Sequence, residues 1–339
     1  MKFALVTADR AHNKKFYMNG ENSDVTSFMN WVKILDGVHL SFIDLRQEDG
    51  EGVPMLSNFD VVMFSGHLNH LVDIVKLATA LKDTNTITMF YPEGSAQLYD
   101  NSINGFQPLY YDAWRACDVF SVAEEDKEYY YKSFVGKDTA VKFVHVPVTR
   151  EMEDGMFLVP RYSKVRDVVV YGDNNPNHPM IAMMCAYKLG LNVTGIDLKK
   201  KDFNKIFPGL KLREASKLGQ YPFLRLLGQS IIHFYPTEWI GTSREAISCA
   251  SVGTPCIGSR DSHTQNRLFP GLGFNIYDIQ GMIEKAIEVV NNQKLYQETV
   301  EFARANIHFY GLEQTLKRFY SAVEAGRKLK EKRSATVLV

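Results

Sequence analysis

Short apolar runs alternate with segments of helical period along this chain, and no other feature restricts its fold as strongly. Lys2–Ala8, His39–Leu45, Asp60–Ser65, Thr86–Tyr91, Val119–Ala123 and Val141–Val146 read as strands. Val25, Phe28, Val32 and Leu35 recur at helical spacing, and further helical stretches lie near 68–82, 108–116 and 124–134. A second series runs through strand Asp167–Tyr171, helix 178–189, strand Val193–Leu198, helix 221–229, strand Ser230–Tyr235 and helix 243–252. Strands Pro255–Gly258 and Phe274–Tyr277 follow, and three helices fill 280–331. Alternation of this kind builds parallel sheets covered by helices on both faces. At 339 residues there is chain enough for two such domains. The expected architecture is therefore α/β, with two doubly wound, Rossmann-like domains facing a cleft. They span 1–150 and 164–312, joined by a charged, proline-bearing linker over 151–163, and the last helix (313–331) is expected to pack back on the first domain. Ligands of such sheets bind beyond the carboxyl ends of the strands.

Composition excludes several other classes. Hydrophobic residues make up 45% and charged residues 23%, as in globular proteins and unlike disordered chains. No apolar run approaches the roughly 18 residues of a membrane span, and the start Met1–Asp9 is too short and too soon acidic for a signal peptide. Cys117, Cys185, Cys249 and Cys256 show no CxxC spacing, which suits reduced thiols in a cytoplasm, bacterial or that of a phage-infected cell. The net charge is zero, but 1–160 carries 14 basic and 23 acidic side chains whereas 161–339 carries 25 and 16. A split of −9 and +9 directs an anionic ligand to the second half.

Several ligand signatures are missing. There is no GxGxxG after the first strand, no GxxxxGK[ST] and no GxSxG elbow. No two aspartates stand in DxD spacing, so the carboxylate pair that holds a metal–diphosphate is absent and no metal is expected. His67 and His70 share one helical spacing but have no third ligand near them in sequence.

The chemistry concentrates in Ser230–Ser259. This is a buried strand, a polar loop with Glu238 and Gly241, a helix, a glycine stop at Gly253 and another buried strand. The helix start at Thr242, Ser243, Arg244 and Glu245 offers free N–H groups, a natural anion site. Arg244 adds a fork suited to phosphate oxygens. Glu245 can accept hydrogen bonds from vicinal sugar hydroxyls. The same four residues also fit T-x-x-E, a capping box in which the glutamate serves only the backbone.

Tyr235-Pro236, Glu238, Gly241, Glu245-Ala246, Gly253-Thr254-Pro255 and Cys256-Ile257 stand in an order that resembles the donor-binding region of GT-B nucleotide-sugar glycosyltransferases. The likeness is to the retaining, glycogen-synthase- and mannosyltransferase-like branch, over about 45 residues from Pro222 to Arg267. Size and layout are similar to the phage DNA glycosyltransferases. The resemblance implies that Glu245 holds the donor ribose, while the 238–243 loop and Arg244 face the diphosphate and sugar. It also places Gly172 and Asn174, after the second domain's first strand, at the donor. Two features depart from the family. Glu238 and Glu245 are seven apart where the family has eight, and Tyr171–His178 carries no Arg or Lys. Backbone N–H groups with Arg244, Arg213, Lys217 or Arg267 would then neutralise the diphosphate.

In the first domain a catalytic side chain belongs in the loops at the strand ends. The candidates are Asp9 and His12 after the first strand, His67 after the third, and Glu93 in Tyr91-Pro92-Glu93-Gly94. Tyr110, Tyr111, Trp114 and Tyr129–Tyr131 form an aromatic-rich region read as core. The resemblance implies transfer of a sugar from a nucleotide diphosphate, UDP-linked, to an acceptor hydroxyl without a metal or bound cofactor. Acceptors considered are a hydroxymethylated base in DNA, a saccharide, a glycolipid and a small molecule. The alternatives are a UDP-sugar 2-epimerase and a non-catalytic binding protein.

Overall fold

The computed structural model describes residues 1–7, 30–42, 45, 52–65, 70–92, 107–122, 124–145, 147–171, 177–196, 198, 203, 205–215, 218, 220–236 and 244–337. The chain divides into two compact units. Unit 1 takes the chain up to Pro147 together with Glu313–Val339, and unit 2 takes Val148–Leu312.

Unit 1 is built on six parallel strands, β1 (Phe3–Thr7), β2 (Val38–Ser41), β3 (Val61–Phe64), β4 (Ile87–Phe90), β5 (Val119–Val122) and β6 (Ala140–Phe143). Their order is β2-β1-β3-β4-β5-β6, so the winding reverses between β1 and β3. Every position of β1, β3, β4 and β5 is buried. Runs such as VVMF and ITMF therefore need cover on both faces, the condition of a central parallel strand.

Among the described residues, the helices of unit 1 include α1 (Gly52–Leu56), α2 (Leu71–Ala80), α3 (Gln107–Ala116) and α4 (Glu128–Val135), together with α12 (Leu312–Val337) from Glu313 onward. One sheet face is covered by α12. Phe319 lies 5.0 Å from the Trp31 ring and 5.8 Å, edge-on, from Phe3. Gly326 lets this helix approach closely, because a Cβ there would sit 2.8 Å from Val119 Cγ2 and 3.0 Å from Ile87 Cγ2. The other aromatic residues of unit 1 stack on one another. Trp114 lies 4.7 Å from Phe120 and 5.6 Å from Tyr131. Tyr110, Trp114 and Tyr131 are thus core, whereas Tyr129 is 87% exposed.

Unit 2 contains β7 (Asp167–Tyr171), β8 (Asn192–Ile196), β9 (Leu212–Ala215), β10 (His233–Tyr235), β11 (Cys256–Ser259) and β12 (Gly273–Phe274). β7-β8-β9 and β10-β11-β12 are parallel runs. The parallel bridge Val165–Ser230 and the bond from Ile231 N–H to Asp167 O (3.3 Å) set β10 beside β7. The order β9-β8-β7-β10-β11-β12 reverses between β7 and β10. Helices α5 (Arg150–Glu153), α6 (Asn177–Lys188), α7 (Gln220–Gln229), α8 (Arg244–Val252), α9 (His263–Leu268), α10 (Ile279–Asn291) and α11 (Gln293–Asn306) complete the unit.

Two stretches differ from the sequence reading. The 151–163 segment is folded onto unit 2. Thr149 Oγ1 accepts from Met152 N–H to start α5, Met152 is buried, and Arg304 donates to the carbonyls of Met152 (3.0 Å) and Glu153 (2.8 Å). β9 was not foreseen, because its residues are exposed or half-buried and carry no alternating apolar pattern. No helix among the described residues is long and apolar enough to cross a membrane.

Below the sheet of unit 2, at the amino ends of its strands, Lys164 Nζ donates to Gly228 O (2.6 Å) and Thr254 Oγ1 (2.8 Å). Burial pulls its pKa down to about 8, against a smaller upward push from Cys249. The unfolded chain, with an ordinary lysine pKa near 10.4, then binds more protons than the folded one between about pH 8 and 10.4. Stability contributed by this site accordingly rises with pH across that window. Unfolding of wild type and Lys164→Met by urea, compared from pH 7.5 to 10.5, should show wild type gaining about 2 kcal/mol on the variant. A difference that stays flat with pH contradicts the assignment.

Candidate functional site

The reversal between β7 and β10 makes the carboxyl edge of unit 2 the place where a ligand can enter between diverging loops. β10 ends at Tyr235, and the chain returns as α8, beginning at Arg244. The sequence favours close docking of this helix. Ala246, Ile247, Cys249, Ala250, Ser251 and Val252 are buried and mostly small, and Gly253 closes the helix in the left-handed region at φ 71°. Arg244 and Glu245 are left half-buried in its first turn. The aligned peptide dipoles of a helix add about half a positive charge at its start.

The ground beneath this edge is uncharged. His233 is buried on β10, and burial lowers its pKa to about 4, with a smaller opposing contribution from the Val169 backbone. It is therefore neutral at physiological pH. Its ring lies nearly parallel to that of Tyr235, 6.5 Å away at the strand end. One turn below Glu245, the Cys249 thiol is pushed well up, by burial first and then by Cys256 and Glu245. A protonated thiol and a neutral imidazole do not compete with an anion for Arg244.

Of the donor residues expected from sequence, Arg244 and Glu245 stand together at this edge. Ser243, Thr242, Glu238, Gly241, Gly172 and Asn174 lie outside the described residues, as does Lys217. Arg213 is on β9, two strands away from β7, and does not join them. Arg267 is in α9 rather than in a loop, and its guanidinium sits 3.6 Å above the Phe309 ring. Sequence reading passed over Arg260, which leaves the carboxyl end of β11 and is exposed.

In unit 1, Glu93, His67, His12 and Asp9 also fall outside the described residues. They follow β4, β3 and β1, strands in or beside the reversal. His70 stacks on Phe42 at 5.0 Å, with Nδ1 3.8 Å from Asp73. Among the described residues no group of three His, Cys, Asp or Glu is arranged to hold a metal. The edge also carries two buried titratable residues that the sequence reading missed, Glu124 just past β5 and His145 just past β6. Glu124 opens the run Glu124-Glu125-Asp126, which reads as a solvated helix start and so hid it.

The charge argument changes once the chain is divided where it folds. Residues 1–147 with 313–339 hold 20 basic and 23 acidic side chains, a net of −3, and 148–312 hold 19 and 16, a net of +3. The basic tail belongs to unit 1 and removes most of the apparent asymmetry. Two of its cations are also spent on structure. Lys330 Nζ donates to the carbonyls of Leu81, Thr84 and Thr86, and Arg333 pairs with Asp118. These partners lie at the amino ends of β4 and β5, the edge opposite the ligand loops. The sequence also holds a run of three lysines, Lys199–Lys201, which lies outside the described residues.

Comparison with solved structures finds the same architecture over nearly the whole chain. An α-glucosyltransferase in complex with UDP-glucose and DNA containing an abasic site superposes with a TM-score of 0.64 at 10% identity, covering 96% of this chain and 99% of that one. A UDP-forming α,α-trehalose-phosphate synthase from Burkholderia xenovorans gives 0.64 at 11%, with the same coverage. S. aureus TarM, in complex with UDP among other ligands, gives 0.59 at 12% identity over 77% of this chain and 55% of that one. No protein-family model matches the sequence, and no curated protein does. The winding of both sheets and these superpositions agree: the chain has the GT-B fold of the glycosyltransferases, two Rossmann-like units in one polypeptide.

Proposed function

We propose that this protein is a glycosyltransferase that moves a sugar from a UDP-linked donor to an acceptor hydroxyl. The observation that carries this reading is the pair Arg244 and Glu245, half-buried in the first turn of α8 beside the β7–β10 reversal. Arg244 and the positive end of the helix dipole meet the diphosphate. Glu245 accepts from the ribose hydroxyls, and Glu238, Gly241, Thr242, Ser243, Gly172 and Asn174 are assigned to the same donor site. The three neighbours described above were solved with UDP-glucose, form UDP, or were solved with UDP, which supports uracil as the base.

The reaction balances simply. The acceptor oxygen forms a bond to the anomeric carbon, the bond from that carbon to the diphosphate breaks, and UDP leaves with the electron pair. The acceptor proton passes to a base, for which Glu93, His67 and His12 are the candidates. Charge developing on the departing diphosphate is stabilised by α8 and Arg244, groups already oriented before reaction. Hydroxymethylated DNA fits as acceptor because one neighbour was solved with a 13-mer DNA containing an HMU base. A saccharide fits equally the trehalose-phosphate synthase likeness. A net charge of −3 over 1–147 and 313–339 leaves only weak repulsion toward a polyanion. We place the reaction in the cytoplasm, in keeping with four free, buried cysteines.

A thermal-shift screen with UDP, GDP, ADP and TDP tests the donor. UDP at 100 times its Kd is expected to stabilise the protein by about 2.7 kcal/mol, and the other three by less. Absence of stabilisation by any nucleotide overturns the reading. Transfer from radiolabelled UDP-glucose to hydroxymethyl-containing or plain DNA then decides the acceptor.

A further inference from the structure

We infer that Arg260 is a second diphosphate-binding cation, gripping the outer phosphate of the donor alongside Arg244. The inference rests on the donor reading above and adds a residue to it. Arg260 follows β11 directly, and β11 lies next to β10. Tyr235 is in register with Gly258, so Arg260 stands two residues beyond the last paired position of β10, over the same carboxyl edge that α8 approaches.

Its backbone is fixed with unusual care for an exposed residue. The Arg260 N–H donates to Phe274 O (2.9 Å), and its carbonyl accepts from Asn266 Nδ2 (2.5 Å). The next N–H, of Asp261, donates to Ser259 Oγ (3.2 Å). Gly273 makes this possible, since a Cβ there would lie 3.0 Å from the Arg260 Cα. The side chain therefore leaves the sheet edge from a rigid root, which limits the entropy lost when it grips a ligand.

Its guanidinium makes no hydrogen bond or ion pair with any described residue, whereas three other arginines of unit 2 are held by the fold. Arg161 donates to Val290 O, Arg304 to Met152 O and Glu153 O, and Arg267 covers Phe309. The loop after β7 supplies no Arg or Lys, so a second cation for the diphosphate has to come from another part of unit 2. Asp261 beside Arg260 offsets its diffuse field, so the contact expected is a directed fork onto phosphate oxygens rather than general attraction.

Calorimetric titration of the full chain with UMP and UDP separates the possibilities. In Arg260→Gln, UDP affinity is expected to fall 10- to 100-fold while UMP affinity stays within about twofold. Arg260→Lys should restore only part of the loss, because an ammonium lacks the fork. An unchanged melting temperature for both variants shows that the fold is intact. Wild type that binds UDP with Arg260→Gln unaffected overturns this inference alone. Equal losses of UMP and UDP also overturn it, since the contact would then lie on the nucleoside or inner phosphate. Wild type that binds no UDP removes the donor reading and this inference together.

Discussion

Replacing Asp118 with alanine is expected to cost unit 1 about 3–5 kcal/mol, the largest stability loss of any single substitution considered for this chain. The carboxylate is fully buried just before β5. It accepts from Thr88 N–H and Thr88 Oγ1, both at 2.9 Å, pairs with Arg333, and lies 3.5 Å from Lys330 Nζ. Lys330 in turn holds three backbone carbonyls at the amino edge of the sheet. Alanine leaves a buried ammonium and a half-buried guanidinium without their counter-charge and two Thr88 donors without an acceptor, and such groups retain the full cost of lost hydration. The end of α12 is thereby released. Urea unfolding reads the effect directly, and in a thermal melt the loss appears as a drop on the order of 10 °C. Glu298→Ala supplies the control, because the Lys294–Glu298 pair is exposed at 3.8 Å and such pairs contribute about 0–1 kcal/mol. A loss below about 1 kcal/mol for Asp118→Ala contradicts the account of how the C-terminal helix is held.

The second large effect falls on binding rather than on folding. Arg244→Ala should weaken UDP by 10- to 100-fold, the worth of a charge-assisted fork at a partly desolvated helix start. Arg244→Lys keeps the charge but not the geometry, so it should recover only part of the affinity. Glu245→Ala divides two roles that sequence alone leaves open. As a cap residue its loss costs about 1 kcal/mol of stability and leaves UDP affinity intact. As the ribose acceptor its loss weakens UDP about 10-fold or more, because hydrogen bonds to a charged group are worth roughly 1.5–3 kcal/mol. In turnover the same deficit appears in kcat/KM for the donor.

The strands were legible because a parallel strand covered on both faces reads as an unbroken apolar run. β7 matches its expected span, and β3, β4 and β5 each lie inside theirs. β9 was invisible for the opposite reason, since Leu212–Ala215 sits at the sheet edge with half its side chains in water. The short helix α5 escaped because four residues are too few to show a period, and its buried Met152 stands alone among charged neighbours. Arg244 and Glu245 stand at the start of the small-residue helix after β10, where the sequence places them. Nothing in Gly258-Ser259-Arg260-Asp261 announces that Asn266 and Phe274 hold the Arg260 backbone. Charge was the least transferable reading. Halving the chain by number gave −9 and +9, but a terminal helix that returns to the first sheet reduces this to −3 and +3.

Whether the start of α8 is a nucleotide-sugar site is decided by one paired measurement. UDP is titrated into wild type and Glu245→Ala by calorimetry, with urea unfolding of both proteins under the same conditions. The predicted result is measurable binding by wild type, affinity reduced about 10-fold or more in the variant, and stability lowered by no more than about 1 kcal/mol. Equal UDP affinity in the two proteins, with only the stability loss, would reduce Glu245 to a helix cap and contradict the claim.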